Sequence, residues 1–297
     1  NNNKIRSILS SKGFNEHYSN SLYNHSQTTH FNHLPTLEII NESSVEMKFL
    51  RNSLLPGLLK ATSFNEKRNQ NIFKLFELGS VHHQIKSAKG IKNNQKTNLA
   101  LVWFGKNNQH WKRNFEHDIF YAKGEIHAIL EILNLDDIQF KIHSYEFLEN
   151  AFSIFIGKTK IGFLGNLNGS LREIYDIKQN IPICEISLDI LKDKVKLSSY
   201  TEPAQYPAVK RDLSLLILKT ISAQEITNYI TNQSDVLLVN MNIFDVYEGD
   251  KIEQGKKSIS ISLHYQSLEK TLIDKEVDDR LSDLVEKLNK KFGAIQR

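Results

Sequence analysis

Asp245 and Tyr247 lie two apart in a stretch that reads as strand, so their side chains share one face of a sheet. A carboxylate only accepts hydrogen bonds, and a phenol is a flat ring with a polar tip. Together they can meet the edge and the face of an unstacked nucleic-acid base. The same pair also fits an ordinary strand end, with the Asp accepting turn N–H bonds and the Tyr half buried. Alone it decides nothing. Lys210-Arg211-Asp212 offers either phosphate contacts or a solvated local ion pair. Lys256-Lys257 reads as a solvated hairpin edge whose charges discourage strand pairing, with phosphate contact as the alternative.

Other reactive residues point to no chemistry of their own. His25, His30 and His33, with His82 and His83, invite a metal reading. Zinc needs three or four convergent ligands, and this set has neither cysteine nor helical i, i+4 spacing, so no metal site is expected. Gly157-Lys158-Thr159 imitates the end of a phosphate-binding loop, but Phe152 stands where its first glycine belongs and the next element reads as strand. Cys184, beside Glu185 in a strand, has no neighbouring cation or base in sequence and reads as a buried small hydrophobe. As the only cysteine it excludes a disulfide framework within the chain and suggests a reducing compartment, the cytoplasm.

These residues are positioned by a readable run of elements. Ile5, Ile8 and Leu9 followed by Gly13 give a short helix with a glycine C-cap. Glu16 to Tyr23 reads as strand, and Pro56 opens a helix reaching toward Asn69, with Leu55, Leu58, Leu59 and Thr62 on its less polar face. Ile72 to Leu78 and Leu99 to Phe104 suit buried strands, and the polar stretch Ile85 to Asn98 between them suits a solvated loop. Ile119, Ala122, Ile126, Ile129 and Leu133 mark one face of a helix. Strands are expected at Ile138 to His143, Ala151 to Ile156, Lys160 to Leu167 and Ile183 to Leu188. Residues 1–199 therefore read as an α+β layer, a wide antiparallel sheet with helices on one side.

Ser198 to Pro203 breaks the pattern, and residues 200–297 begin a second domain. Strand Asp212 to Leu218, a helix capped by Ser222 and Glu225, strands Val236 to Val246 and Ser258 to Tyr265, helix Asp274 to Phe292 and a tail strand follow. The order β-α-β-β-α-β is the ferredoxin-like split βαβ, whose sheet leaves one face free.

The 297 residues carry 38 Lys plus Arg against 34 Asp plus Glu, a net charge of +4 that by itself implies no nucleic-acid binding. Thr201 to Arg297 holds 13 basic and 15 acidic residues, a net of −2. That domain is no nonspecific polyanion binder, and any RNA contact there must be specific, with modest salt dependence. No stretch reaches the roughly 18 apolar residues of a membrane helix, and Asn1 to His30 is too polar for a signal peptide. The chain starts at Asn1 and enters a helical pattern at once, as a piece of a longer protein would.

Two segments resemble a known family. Leu50-Arg51-Asn52-Ser53-Leu54-Leu55-Pro56-Gly57-Leu58-Leu59, then Asn65, Arg68 and Leu75-Phe76-Glu77-Leu78-Gly79, resemble the synthetase-like core of the bacterial phenylalanyl-tRNA synthetase beta subunit. Tyr206-Pro207-Ala208-Val209-Lys210-Arg211-Asp212-Leu213, Phe244-Asp245-Val246-Tyr247-Glu248-Gly249, Gly255-Lys256-Lys257-Ser258-Ile259 and Thr271-Leu272-Ile273-Asp274 resemble its ferredoxin-like anticodon-binding domain in order and spacing. Four blocks over about seventy residues are far more specific than one motif. The match is weakest from Ile85 to Ile183 and lacks the family's N-terminal half, which holds an OB-fold, an editing region and a magnesium site.

The resemblance implies a class II synthetase-like first domain at residues 1–199, docking an alpha subunit in an alpha2-beta2 heterotetramer that uses ATP and magnesium to join phenylalanine to its tRNA. No cofactor is expected in this chain and no catalytic residue. A class II site needs an arginine to neutralise the ATP phosphates, and here Gly79-Ser80-Val81-His82-His83 puts histidine in its place. The glycine-rich third motif is unconvincing at Gly165 to Arg172. In the second domain the resemblance places Asp245, Tyr247, Ser258 and Ala208 near the anticodon bases of phenylalanine tRNA, with Lys210 and Arg211 as phosphate contacts. Ala208 and Ser258 fit plain loop packing and an ordinary strand hydroxyl as well. The alternative expectation is a freestanding RNA-binding or regulatory paralogue without a synthetase partner. An independent enzyme using the histidines would instead carry zinc.

Overall fold

The computed structural model describes residues 2–31, 35–87, 90–107, 115–191, 194, 200, 202–233, 235–249 and 252–297. The chain divides into two compact units, Asn1–Ser198 and Ser199–Arg297. Ser198, Ser199 and Thr201 of the expected break lie outside the described residues.

The first unit runs α1 (Asn2–Ser11), β1 (Phe14–Glu16), β2 (Leu22–Tyr23), α2 (His25–Thr29), β3 (Leu37–Glu38), β4 (Phe49–Leu50), α3 (Leu55–Glu66), β5 (Ile72–Ser87) and β6 (Gly90–Asn107). It continues with β7 (Phe115–Glu116), α4 (Ile119–Ile132), β8 (Ile138–Ile142), β9 (Leu148–Ile156), β10 (Thr159–Leu167), α5 (Gly169–Tyr175) and β11 (Pro182–Ser187). The main sheet has the order β1-β5-β6-β11-β10-β9-β8, with β7 on β6, and β2-β4-β3 forms a small second sheet. The pairing is antiparallel except for β1, which runs parallel to β5.

Helices cover both faces of this sheet, not one. Ile5 and Leu9 of α1 pack with Ala122, Ile126 and Ile129 of α4 against Phe76, Leu101 and Trp103. Leu55, Leu58 and Leu59 of α3 pack with Leu171 and Tyr175 of α5 against Leu75, Val102 and Phe104. Neighbouring residues of one strand serve opposite layers, so β6 reads as a continuous apolar run from Leu99 to Phe104, the signature of a strand buried on both sides. Burying each large aliphatic side chain contributes about 1.5–3 kcal/mol, which makes α4 a strong anchor.

Three further expectations need correction. Ile85 to Asn98 is mostly strand: β5 and β6 pair without interruption from Ile72↔Gly105 to Ser87↔Gly90, and residues 88–89 lie outside the described residues. Glu16 to Tyr23 is not one strand; β1 ends at Glu16 and β2 begins at Leu22. Third, α5 lies where no helix was expected, whereas the Pro56 helix does run toward Asn69, ending at Glu66.

The second unit runs β12 (Val209–Leu218), α6 (Ala223–Asn232), β13 (Leu238–Tyr247), β14 (Lys256–Tyr265), α7 (Asp274–Phe292) and β15 (Ile295–Gln296), in the sheet order β13-β14-β12-β15. Ser222 caps α6 in a reciprocal capping box with Glu225, and Gly293 closes α7 at φ 63°. Leu213, Leu215 and Ile217 of β12 and Ile259, Ile261 and Leu263 of β14 meet Ile226, Ile230, Val277 and Leu288 of the two helices. All of these contacts lie on one face, so among the described residues the other face of the sheet carries no helix of its own unit.

Candidate functional site

The open face of the second unit is built on β14. In an antiparallel sheet, directly paired residues project to the same side. Ile259, Ile261 and Leu263 face the helices, which leaves Ser258, Ser260, Ser262 and His264 on the open side. The three serines are 6%, 8% and 4% exposed, so they form a low floor between the side chains of the flanking strands, level with Ser214 of β12 on the Ser260 rung. On β12 the partners are Leu216, Ser214, Asp212 and Lys210; on β13 they are Tyr247, Asp245, Asn242 and Asn240. The result is a trough of four rungs.

Asp245 reaches this face because of a bulge. Ile243 pairs with Ile261 on the helix side, and in a regular strand Asp245 would follow it there. The register shifts between them, Phe244 is the extra residue, and Asp245 pairs with Ser260 instead. Alternation then continues, so Asp245 and Tyr247 share the open face, and both are exposed. The Tyr247 ring lies against Gly249, where any β-carbon would overlap it.

The remaining expected residues spread out. Ser258 lies beside Tyr247, on the neighbouring strand of the same rung. Ala208, exposed just before β12, stands at the far end of the sheet, roughly 27 Å along the strand from Leu216, Ser258's partner on β12. Lys210 is on the open face, 3.3 Å from Asp212 and 6.0 Å from the centre of the Phe244 ring. Arg211 does not join it. It follows the alternation of Leu213 to the helix side, where its guanidinium binds Asp274 at 2.6 Å and Asp278 at 2.9 Å. Lys256 pairs with Glu253, and Lys257 donates to the Lys219 carbonyl.

Sequence reasoning missed the rest of the trough. The Ser262 hydroxyl, and then Lys210, hold the Asp212 carboxyl below the usual carboxylate range. His264 Nε2 lies 3.3 Å from Ser262 Oγ, and Ser214 and Ser260 share a 2.9 Å hydrogen bond. Asn240, Asn242 and Phe244 are exposed. The serine alternation across Ser258, Ser260 and Ser262 was a visible signal, because a strand with hydroxyls on one side and aliphatics on the other has one uncovered face.

Polar residues of the first unit are differently placed. Arg51, 4% exposed, binds the fully buried Glu77 at 2.5 Å, the Ser80 carbonyl at 2.8 Å and Ser19 at 3.1 Å. Gly79 is glycine because the guanidinium lies where a β-carbon would be. Beside this group a cleft of ≈ 380 Å³ is lined by Asn52, Ser53, His83, Asn98 and Glu185 among others. Glu185 accepts from Ser53 at 2.6 Å, Asn98 at 2.8 Å and the Leu54 amide at 3.3 Å, serving the N-terminus of α3, while burial pushes its carboxyl up. Burial likewise lowers the His83 imidazole, which is therefore neutral at pH 7, and His82 projects to the opposite face of β5. Burial pushes the Cys184 thiol well up.

His30 bonds Tyr175 at 2.9 Å, His25 packs edge-on against Phe49, and His33 lies outside the described residues. Among the described residues no three His, Cys, Asp or Glu side chains converge as metal ligands, and no helix is long and apolar enough to cross a membrane.

Comparison with known proteins adds a family to this geometry. Residues 1–188 match the model of the phenylalanyl tRNA synthetase beta chain CLM domain, and residues 204–297 that of the ferredoxin-fold anticodon binding domain. The phenylalanine–tRNA ligase beta subunit of Carboxydothermus hydrogenoformans is 32% identical over 87% of this chain. Those of Oceanobacillus iheyensis and Bacillus subtilis are each 30% identical over 99%. The chain spans 33%, 38% and 37% of the length of these relatives. A solved pyrrolysyl-tRNA synthetase, PylSc of Desulfitobacterium hafniense, matches with a TM-score of 0.51 at 16% identity, with 64% of each chain covered, a likeness of fold alone.

Proposed function

Because the chain belongs to the phenylalanyl-tRNA synthetase beta-subunit family, we propose that its second unit grips the anticodon of phenylalanine tRNA across the open sheet face. The observation that carries this reading is the exposed Asp245–Tyr247 pair beside a floor of serines. A carboxylate accepts from the N1 and N2 donors of guanine, the first anticodon base, while the Tyr247 ring offers a stacking surface. Ser258 gives a hydroxyl on the same rung, Lys210 a phosphate contact, and Ala208 the far edge of the path.

The first unit docks the alpha subunit and takes no part in the chemical step. Its sheet is layered with helices, and although Lys96 and Lys160 line the cleft, the polar groups buried in and beside it are engaged inside the unit. His83 is uncharged, Arg51 is committed to Glu77, and Glu185 to the start of α3. ATP, magnesium and phenylalanine would be handled by the alpha subunit of a cytoplasmic alpha2-beta2 ligase. Co-expression with that subunit tests the docking role: the two are expected to co-purify, and separate elution would overturn it.

For the RNA reading, Asp245→Ala is expected to weaken binding by about 1–3 kcal/mol, the scale of one base contact, and to flatten preference at the first anticodon base. Titrating the assembled ligase with tRNAs differing only at that base checks this. Identical preferences in wild type and variant would refute the assignment.

A further inference from the structure

The trough continues for two rungs beyond Asp245. Asn242 stands on the Ser262 rung and Asn240 on the His264 rung, both exposed, and neither side-chain amide is engaged by another described residue. Successive rungs are two residues apart on β14, about 7 Å. Stacked bases sit only about 3.4 Å apart, so this ladder matches bases that are splayed out, one to a rung.

The side chains along β13 form a sequence of hydrogen-bonding patterns. Asp245 can only accept, whereas an asparagine amide donates and accepts at once, the pairing that adenine's N6 and ring nitrogens satisfy in a bidentate contact. Phenylalanine codons are UUU and UUC, so two adenines follow the first anticodon base. The order carboxylate, amide, amide is the order guanine, adenine, adenine. Phe244, the bulge residue between the Asp245 and Asn242 rungs, is 54% exposed and turns its ring toward Lys210, so a flat surface and a cation lie beside the same path.

We propose that Asn242 and Asn240 are specificity-determining residues, reading the second and third anticodon bases as adenines while Asp245 reads the first. This rests on the open face being the anticodon platform. The RNA then runs along β14, with the first base at the Tyr247 end and the third at the His264 end.

The test uses the assembled ligase and phenylalanine tRNAs substituted singly at each anticodon position, with affinities measured for wild type, Asn242→Ala, Asn240→Ala, Asn242→Asp and Asp245→Ala. Wild type is expected to prefer adenine at the second and third positions by about five- to 150-fold, the range for one bidentate base contact. Asn242→Ala should abolish that preference at the second position only, and Asn240→Ala at the third only. Asn242→Asp presents acceptors alone, so it should shift the second-position preference toward guanine. Unchanged melting temperatures will show that these exposed variants remain folded. If both Asn→Ala variants keep the wild-type preferences while Asp245→Ala relaxes the first base, the inference is wrong and the platform stands. A wild-type enzyme indifferent to all three bases would sink both. Loss of first-base preference in Asn242→Ala would overturn the proposed order.

Discussion

In the first unit Arg51, Glu77 and Glu185 are buried and bound by their own neighbours, whereas in the second Asp245, Tyr247, Asn240 and Asn242 stand exposed along one sheet face. Both sets are polar residues on or beside a sheet. The difference lies in the layers around them. The first sheet has helices on both faces, so a polar group there must find a partner inside the protein or lose its hydrogen bonds. The second has helices on one face, and its open side keeps hydrogen-bonding capacity for a guest. Polar residue type alone therefore says little about recognition; coverage of the sheet decides it.

The sharpest way to break this contrast is Glu77→Ala, which leaves the Arg51 guanidinium buried without its carboxylate. The expected loss is about 3–5 kcal/mol of first-unit stability. Both tryptophans, Trp103 and Trp111, belong to the first unit, so denaturant unfolding followed by tryptophan fluorescence reports on that unit alone. A loss under about 1 kcal/mol would mean the pair behaves as a surface ion pair. Gly249→Ala comes next. A methyl group there displaces the Tyr247 ring, so affinity for the tRNA should fall by no more than the about 1–3 kcal/mol of one stacked base, with the melting temperature nearly unchanged. Unaltered affinity would show that the ring's resting place is irrelevant. Arg211→Ala should do least: a slightly lower melting temperature, no change in tRNA affinity and none in its salt dependence, whereas Lys210→Ala should flatten the salt slope. Equal effects of the two would return Arg211 to the RNA side.

Legibility followed burial. The Ser222–Glu225 capping box, the apolar stripe of α7 and the β-α-β-β-α-β order were readable because caps and one-sided helices leave local patterns. The 80–97 part of the β5–β6 hairpin was not. Its residues 80–87 and 90–97 pair along their backbones, but they run past most of the neighbouring strands, so little of their side-chain alternation is enforced by a core, and the composition is that of a loop. Helices on both faces of the first sheet were missed because an apolar stripe shows that a helix is buried but not which face of a sheet it covers: α3 and α4 were both readable, and they lie on opposite faces. That Arg211 lies on the helix side, apart from Lys210, was legible in its parity with Leu213, Leu215 and Ile217, which face the helices. The pairing of Asp245 with Tyr247 was readable from their spacing. That they face outward depends on the extra residue at Phe244, and nothing in one sequence marks a bulge there.

The serine floor has a further effect, set by depth rather than by chemistry. β13 and β12 flank β14 at about 4.8 Å on either side, so along the three serine rungs the walls of the channel stand roughly 10 Å apart, with only hydroxymethyl groups between them. A single ribose-phosphate thread with its rings turned sideways can settle into such a gutter. A paired helix, whose bases are already occupied by each other, would rest on the rims and touch nothing below, so under the proposed reading such a surface would sort loops from stems before any individual letter is read.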